Sequence, residues 1–236
     1  MSASALSQLY PPLGLSLQLA DLTLRPLRDE DLPEYAELIR RPIFGPDHPE
    51  LVFPWYDVPE EQRVAGAITF QWLLRTKVSP DDWILDFGIF TEGRLVGMQC
   101  LRTHGWQLRR TVESDSWLTR DEQGRGIGTT MRRAVLLFAF DHLRAVRAET
   151  SAVAGNGPSC GVSRAVGYRD NGTEVDVEGG RAVQVQRFVL EPDDLRRPAQ
   201  TLVVDGFTPR LRELLGVGRG VPDAGPAATV LPSGRS

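Results

Sequence analysis

The stretch from Asp121 to Thr130, DEQGRGIGTT, restricts the fold of this chain more than any other. Three glycines alternate within it. A strand-like segment, 111–119, runs into the stretch, and a helix-like segment, 127–143, leaves it. A glycine-rich turn that opens a helix presents several unpaired backbone N–H groups in one direction, with the positive end of the helix dipole behind them. We therefore predict an anion-binding site here, in which the glycines let phosphates approach the backbone closely.

Two common nucleotide-binding loops fit this stretch less well. The phosphate loop of nucleoside triphosphatases needs a lysine after its last glycine, and no lysine follows any of the three here. The dinucleotide fingerprint Gly-x-Gly-x-x-Gly is met at Gly124 and Gly126, but Thr129 stands at its third position. Glu149, in the next strand, could imitate the ribose-binding acid, yet that fold needs a run of strand–helix units and this chain offers strand hairpins. A plain turn before a helix is the simplest alternative.

The order of the remaining elements predicts a mixed α/β domain. Strands are predicted over 22–27, 83–90, 94–102, 111–119, 146–153, 168–177 and 182–190. Helices are predicted over 28–39, 60–77, 127–143 and 156–166, with a weaker one over 207–217. The core-facing residues of the three longest helices are predicted to be Leu32, Tyr35, Leu38 and Ile39, then Val64, Ile68, Trp72 and Leu73, then Ile127, Met131, Val135 and Phe138.

Length and composition narrow the class of protein. The 236 residues fit one globular domain, 22–192, with an N-terminal arm, 1–21, and a C-terminal extension and tail, 193–236. A net charge of −4 argues against a nucleic-acid-binding protein, because such proteins are usually basic. Two cysteines are too few for a disulfide framework, no signal peptide is recognisable, and no segment approaches the roughly 20 apolar residues that span a bilayer. We therefore expect a cytoplasmic protein without a membrane or nucleic-acid partner.

The pattern Gln123-x-x-Gly126-x-Gly128, after a strand and at the start of a long helix, resembles the acyl-CoA site of the GNAT superfamily of N-acyltransferases. The order of elements from Leu22 to Leu190 is also similar to that of the family. A second motif, Asn156-x-x-Ser159, opens the predicted short helix and is followed by SRAVGY at 163–168. This second motif resembles the branch that contains the ribosomal-protein-alanine acetyltransferases.

A third segment carries the same resemblance. Residues 113–118, ESDSWL, are similar to the Glu-x-Gly-Tyr-Trp pattern of that branch, with Asp115 and Ser116 in place of the Gly and the Tyr. The resemblance implies a GNAT-like α/β fold, with a central, mostly antiparallel sheet of about seven strands whose middle strands splay apart, flanked by helices. It also implies transfer of an acyl group from a CoA thioester to a primary amine, by direct attack in a ternary complex.

The resemblance implies acetyl-CoA as the donor, or another acyl-CoA such as succinyl-CoA, and no metal. The amides of 124–129 would bind the pyrophosphate, and the backbone of 117–119 would bind the pantetheine arm as an added strand. The acceptor amine would be a small molecule or a protein N-terminus, and a homo-oligomer stays open. The cofactor-binding residues carried over are Trp117, Leu118, Thr119, Gln123, Gly124, Arg125, Gly126, Ile127, Gly128, Thr129, Asn156 and Ser159.

Acyl transfer to an amine needs a proton acceptor, an oxyanion donor and stabilisation of the leaving thiolate. Glu113 and Asp115 are candidate bases, because residues i and i+2 of a strand point to one face; solvated strand carboxylates are the alternative. In this branch a serine at the position of Ser159 is thought to approach the sulfur, whereas a helix cap is the alternative. Ser163 stands where many members have an acidic tyrosine, and a serine hydroxyl is a poor acid.

Three other kinds of residue offer weaker signals. Cys160 lies close to the predicted thioester, but no activating base is visible near it, so we expect a small packed residue. His48, His104 and His142 have no spacing that suggests a metal site, and none is predicted. The absent tyrosine motivates a non-enzymatic alternative, in which a degenerate GNAT fold binds acyl-CoA as a sensor or regulatory module.

The acceptor site is expected opposite the cofactor, between the first helices and the proline-rich loop 42–59. Its aromatic walls are predicted among Phe44, Phe53, Trp55, Tyr56, Trp72 and Trp83. Acidic residues in and after this loop, Asp47, Glu50, Asp57, Glu60 and Glu61, would favour a cationic acceptor. A solvated acidic surface is the alternative.

Overall fold

The computed structural model describes residues 5–44, 55–178 and 180–218. Within these residues, nine strands form one sheet in the order β7-β8-β6-β5-β4-β3-β2-β1-β9. The strands are β1 Ser16–Leu19, β2 Leu22–Arg25, β3 Trp83–Thr91, β4 Arg94–Thr103, β5 Thr111–Leu118, β6 Arg147–Val153, β7 Arg169–Glu178, β8 Arg181–Leu190 and β9 Val203–Asp205. The helices are α1 Ala5–Leu9, α2 Leu32–Arg40, α3 Glu60–Leu74, α4 Trp106–Arg109, α5 Ile127–Leu137, α6 Gly157–Val166 and α7 Pro209–Leu214.

The mixed α/β class and the mostly antiparallel sheet are confirmed, but the described sheet has nine strands rather than about seven. The two extra strands, β1 and β9, come from the segments that the sequence assigned to the arm and the extension. Seven of the eight strand pairings are antiparallel, and β5 with β6 is the parallel one. That parallel pairing covers only three residue pairs, ending at Glu113 with Glu149. The two strands therefore separate in the middle of the sheet.

Local sequence explains the ends of these elements. Strand β2 stops at Arg25 because the following Pro26 has no N–H to donate to a ladder. The β3–β4 hairpin turns on Glu92 and Gly93, both with positive φ, which is the two-residue turn that matches the twist of a hairpin. Helix α5 continues as one π-helical segment, Phe138–Leu143, so that the predicted helix 127–143 is present in two forms.

Helix α5 lies on one face of the sheet and carries the main core. Met131, Val135 and Phe138 are buried in that core as predicted, and Ile127 packs against it partly buried. Helices α2 and α3 cover the opposite face, where they form a smaller core with the side chains of β3 and β4. The sheet therefore separates two layers of helices. The gap between β5 and β6 lies in the sheet, between these two layers.

Helix α3 faces the sheet with a different stripe from the predicted one. Trp72 and Leu73 are exposed by 52% and 48%, whereas Ala67, Gln71 and Leu74 are buried. The helical period explains this difference, since 64, 67, 68, 71 and 74 lie on one face, 72 lies at its edge and 73 lies on the opposite side. The prediction for Trp72 and Leu73 was therefore wrong, and the true stripe places a buried glutamine, Gln71, among apolar residues.

Both ends of the chain that the structure describes pack on the domain. Strand β1 pairs with β2 and β9, and Leu15 and Leu17 belong to the main core, so the predicted irregular arm is largely structured. Leu211 and Leu215, in and after α7, are fully buried in the same core. Of the predicted C-terminal extension and tail, 193–236, residues 219–236 lie outside the described residues. Among the described helices none is both long and apolar enough to cross a membrane.

Candidate active site

The glycine loop forms an open cradle of backbone amides at the start of α5. Gly124 and Gly126 have φ of 73° and 82°, and a side chain on either would point into open space. These glycines are therefore required by backbone conformation, not by crowding. In the described part of the chain, no backbone acceptor bonds the amides of 124–128. Five consecutive N–H groups at a helix N-terminus thus lack a backbone acceptor among the described residues, which is the geometry that an anion site requires.

Side chains around the cradle are tied to the protein. The Gln123 Nε2 donates to the carbonyls of Ile43 and Leu118, both at 2.9 Å, so that Gln123 braces the loop against the end of β5. Arg125 forms an ion pair with the buried Glu122. The Thr129 amide bonds the Gly126 carbonyl at 3.1 Å and so belongs to the first helical turn. Of the predicted pyrophosphate-binding amides, those of 124–128 are the ones without a backbone acceptor in the described chain.

Gly128 has a different function within the loop. A Cβ on Gly128 would lie 3.3 Å from Val162 Cγ2, so the missing side chain lets α5 pack closely on α6. This contact holds the middle of α6 against the first turn of α5.

The gap between β5 and β6 exposes part of the β5 backbone. The carbonyls of Ser114 and Leu118 accept from Thr150 Oγ1 and Gln123 Nε2, which approach from the gap side. Alternation along a strand directs the Ser116 N–H and carbonyl to the same side. The Thr119 amide instead bonds the Val96 carbonyl on β4, at 3.1 Å. An extended ligand in the gap would therefore meet Ser116 and the Leu118 amide.

This geometry differs from the prediction for Trp117 and Thr119. A Cβ on Gly97 of β4 would lie 2.3 Å from the Trp117 carbonyl oxygen, so that carbonyl faces β4 and not the gap. The backbone of Trp117 and Thr119 is engaged with β4 because every second residue of a strand bonds the same neighbour.

Helix α6 begins beside the gap. The Asn156 side chain caps this helix by accepting from the Ser159 amide at 3.1 Å, and Ser159 is half-buried in the first turn. Ser163 is only 1% exposed, and its hydroxyl donates to the Ser159 carbonyl at 3.2 Å. Ser163 is therefore engaged within its own helix. Cys160 is buried in the main core, as expected of a small packed residue.

The opposite face of β5 carries the two candidate bases. Glu113 and Asp115 point to this face together, as their spacing predicted, and one arginine on β4, Arg102, pairs with both. The Arg102 Nε lies 3.3 Å from Glu113 Oε2. Glu113 and Arg102 also line a cavity of about 350 Å³ that extends toward Asp82, just before β3, and His104, just after β4. Of the two carboxylates, Glu113 thus borders an open cavity, and Asp115 lies beside it on the same strand.

A third carboxylate, Asp86, completes a row across the same face. The sheet register places Asp86 of β3 opposite Cys100 of β4, and Cys100 opposite Asp115 of β5. Gln71 Nε2, from α3, donates to Asp86 Oδ2 at 2.8 Å. Burial raises the pKa of Asp86 to about 7, against the Gln71 hydrogen bond that lowers it, and the Asp115 charge raises it further. Burial also raises the pKa of the Cys100 thiol, to which the charges of Asp115 and Asp86 add.

Aromatic side chains surround this row. Trp117 lies between Tyr35 and Trp55, with ring centroids 6.5 and 5.9 Å away. Tyr56 contacts Trp55 and Phe44 edge to face, at 5.7 and 5.4 Å. Phe44, Trp55 and Tyr56 are therefore brought together near the site, as predicted.

Other residues predicted for the acceptor side have different positions. Trp83 is fully buried against Trp106 in the main core, because it starts a central strand, and it is also among the residues that line the cavity beside Glu113. Glu60 pairs with Arg40 at 3.2 Å, and Asp57 lies 4.0 Å from Arg181 of the β7–β8 hairpin. Asp47, His48, Glu50 and Phe53 lie outside the described residues, and Glu61 is exposed.

The two remaining histidines, His104 and His142, contact other side chains away from the glycine loop. His104 pairs with Asp82 at the surface, and His142 lies between the rings of Phe138 and Phe207. Burial lowers the pKa of His142 against the opposing charge of Asp141. Neither position belongs to a cluster of metal-ligand side chains in the described parts of the chain.

Sequence reasoning missed four polar residues of this site: Gln71, Asp86, Arg102, and Arg132 of α5, whose guanidinium contacts Ser116 Oγ and Thr150 Oγ1. Asp86 interrupts an apolar strand, WILDFGIF, and that interruption was a usable signal. Arg102, Gln71 and Arg132 gave none, because a polar residue within a strand or helix is usually solvated and its contacts are set by the fold.

Comparisons with known proteins agree with this architecture. The family model described as "Acetyltransferase (GNAT) domain" matches residues 21–169, more than half of the chain. A curated protein of Bacillus subtilis (strain 168), "Putative ribosomal N-acetyltransferase YdaF", is 29% identical over 92 residues. These residues are 39% of this chain and 50% of that protein, so the chain spans about half the length of this curated relative.

Solved structures show the same fold. "Mycobacterium smegmatis RimJ in complex with CoA-disulfide" has a TM-score of 0.64 at 22% identity, covering 80% of this chain and 91% of that one. The structure of RimL, a ribosomal L7/L12 α-N-protein acetyltransferase in complex with coenzyme A, has a TM-score of 0.57 at 15% identity, covering 75% and 99%. At these identities the likeness establishes the fold alone.

Proposed function

The chain belongs to the GNAT acetyltransferase domain family, and on this premise we propose that it transfers an acetyl group from acetyl-CoA to a primary amine. One observation carries the proposal. The open amides of 124–128 adjoin a gap between β5 and β6, and a row of carboxylates lies on the far side of that gap. An anion site, a channel for an extended arm and a polar acceptor face are the three parts that this reaction needs.

The residues of the cradle and the gap fit CoA. The pyrophosphate would be held by the amides of 124–128, where the helix dipole favours negative charge. The pantetheine arm would extend along β5 and exchange hydrogen bonds with Ser116 and the Leu118 amide, as an added strand does. Asn156 and Ser159 would border the thioester end of the arm from the first turn of α6.

The acceptor is proposed to be a cationic primary amine. Asp86, Asp115 and Glu113 face the acceptor side, and the cavity beside Glu113 gives room for the rest of the molecule. Relatives named as ribosomal acetyltransferases support a protein N-terminus, and a small amine is the second candidate. Acetyl-CoA is the proposed donor. Activity with succinyl-CoA would show that a larger acyl group is also accepted. The cytoplasm is the proposed compartment, given that both cysteines are free.

The chemistry requires the ammonium to lose a proton before its nitrogen attacks the thioester carbonyl carbon. Glu113 or Asp115 would accept that proton, directly or through water. A backbone N–H of β5 on the gap side, such as that of Ser116, would donate to the oxygen of the carbonyl as negative charge develops on it. When the C–S bond breaks, its electron pair leaves on sulfur.

The base is tested by Glu113→Gln and Asp115→Asn, measured as pH–rate profiles of kcat/KM. Removal of the base is expected to lower kcat/KM by about 100-fold or more and to remove the rise of rate with pH. Since both side chains contact Arg102, Arg102→Gln is the control for loss of that ion pair. A profile identical to wild type excludes the changed residue as the base.

The CoA site is tested by Gly126→Glu, which places a bulky anion beside the cradle. Affinity for CoA, measured by calorimetry, is expected to fall by about 100-fold or more, because the helix N-terminus can no longer accept a phosphate. Gly93→Glu is the matched control, since Gly93 also has positive φ (77°) and open space around it, but lies in the β3–β4 turn. Equal CoA affinity in both variants and wild type would refute the cofactor assignment.

The activity is tested by CoA release from acetyl-CoA and succinyl-CoA with a panel of small amines and peptides with free N-termini. Turnover with at least one amine is expected. Tight acetyl-CoA binding without turnover on any of them would favour the alternative, in which this fold is an acyl-CoA sensor.

A further inference from the structure

A buried arginine, Arg132, crosses the opening between the two separated strands. It lies on the sheet-facing side of α5 and is only 3% exposed. Its Nη1 is 3.3 Å from Thr150 Oγ1 on β6, and its Nη2 is 3.1 Å from Ser116 Oγ on β5. The last paired residues of these strands are Glu113 and Glu149, so the guanidinium spans the gap just past its closed end.

No described residue balances the charge of Arg132. The structure contains no ion pair to this side chain in the described ranges, and its buried Nε has no hydrogen-bond acceptor there. Its described polar neighbours are the hydroxyls of Ser116, Thr150 and Tyr168. A buried cation without a counter-ion is strongly disfavoured, since an arginine remains charged in proteins. The arrangement therefore fits a group that acquires negative charge in the gap.

The position of Arg132 matches the sulfur end of the proposed CoA arm. The residue is five positions after Ile127, about 7–8 Å along the helix from the pyrophosphate cradle. Arg132 contacts the side chain of Ser116, and the backbone N–H and carbonyl of Ser116 face the gap. Ser163, at the position where a tyrosine would supply a proton, is buried and donates its hydroxyl to Ser159 instead. The leaving sulfur thus has no described acid on α6, whereas it has a cation on α5.

We propose that Arg132 stabilises the CoA thiolate that leaves when the amine is acylated. The inference rests on the proposed CoA site. The amine nitrogen forms the new bond to the carbonyl carbon, the C–S bond breaks, and its electron pair leaves on the sulfur. The ammonium proton goes to the carboxylate side of the sheet, so the sulfur departs unprotonated and its charge is held by the guanidinium. A guanidinium suits this task because a charge-assisted hydrogen bond to an anion is the stronger kind.

The competing explanation is that Arg132 only clamps β5 to β6. The ionisation of the bound CoA thiol distinguishes the two explanations, because a residue that only clamps the strands would not change the pH at which that thiol ionises. CoA bound to wild type, Arg132→Met and Arg132→Lys is titrated from pH 6 to 10, following thiolate absorbance in the ultraviolet. Affinity for CoA and for desulfo-CoA, which lacks the thiol, is measured in parallel. Arg133→Met is the matched control, because the adjacent Arg133 reaches the Ala165 carbonyl at 3.4 Å on the α6 side.

In wild type, the bound CoA thiol is expected to ionise at a pH at least one unit lower than in Arg132→Met. Arg132→Lys should fall between these two, and Arg133→Met should equal wild type. At high pH, the Met substitution at 132 should weaken CoA binding by about tenfold and leave desulfo-CoA binding unchanged. A thiolate titration that is the same in wild type and both Arg132 variants overturns the inference, as does equal weakening for CoA and desulfo-CoA. If Arg132→Met does not fold, the comparison of wild type with Arg132→Lys decides. Failure of wild type to bind either ligand refutes the proposed function, and this inference with it.

Discussion

Asp86 is a carboxylate that the sheet accommodates poorly once it is ionised. It lies in the middle of β3 with Gln71 from α3 as its hydrogen-bond donor. Tyr35 on α2, Cys100 on β4 and Asp115 on β5 are the other titratable groups that face it. Burial is the largest cause of its raised pKa of about 7, and the Asp115 charge adds to it. With these surroundings, Asp86 is expected to change its charge near neutral pH, on the face of the sheet that we propose binds the acceptor.

The raised pKa predicts a stability change with a definite sign. Because the folded pKa of about 7 exceeds the ordinary value of 3.8 for an aspartate, this group favours folding below about pH 4. That contribution is lost as pH rises through 7. Asp86→Asn removes the titration and keeps a partner for Gln71, so the variant is expected to gain roughly 1–3 kcal/mol over wild type between pH 5 and pH 8.5.

Urea denaturation at several pH values measures this difference. The same change at the exposed Asp193 is the control for losing one carboxylate. A difference in unfolding free energy between Asp86→Asn and wild type that stays constant with pH would contradict the assigned burial. Acetyl-transfer kinetics on the same variant would also show whether Asp86 contributes to acceptor binding, since a raised KM for the amine with kcat retained indicates lost recognition.

At the scale of elements, the sequence is most informative where one local rule decides the structure. The cradle follows from Gly124 and Gly126, and the hairpin turn from Glu92 and Gly93, since each depends on backbone conformations that few residues adopt. The helix stripe of α3 was less predictable because Trp72 and Leu73 are apolar and still exposed. Their apolar side chains favoured them, whereas the helical period places the buried face at 64, 67, 68, 71 and 74.

The candidate site was predictable only in part, for a related reason. Its cradle, the α6 cap at Asn156 and the carboxylates of β5 lie within continuous motifs. Its gap-facing backbone depends on which neighbour each residue of β5 bonds, and the sequence does not contain that register. Asp86 and Arg132 join the site through cross-strand and helix–sheet contacts between residues far apart in the chain. Such contacts need the assembled fold.

At the scale of the whole molecule, the segment after β8 belongs to the fold. The family match ends at residue 169, and the sequence placed 193–236 in an extension. In the structure β9 adds to β1 at the edge of the sheet, and Leu211 and Leu215 are fully buried in the main core. A Cβ on Gly206, which has φ of 74°, would lie 1.9 Å from the Gly14 carbonyl oxygen, so this segment contacts the N-terminal part closely. The described extension thus closes the core beneath the first strands.

This packing predicts that Leu211→Ala will destabilise the entire domain. Leu211 is 0% exposed, and removal of its buried side chain is expected to cost about 2–5 kcal/mol of unfolding free energy, through lost burial and the cavity left behind. Leu108→Ala is the matched control, since Leu108 is 83% exposed and the same change there should cost less than about 0.5 kcal/mol. Urea unfolding followed by tryptophan fluorescence measures both, because Trp83 and Trp106 are buried in the same core. Equal stability of the two variants would mean that 193–218 is a separable extension and that the folding unit ends at residue 192. A single cooperative unfolding transition with lowered stability in Leu211→Ala would place the end of the folding unit beyond residue 211.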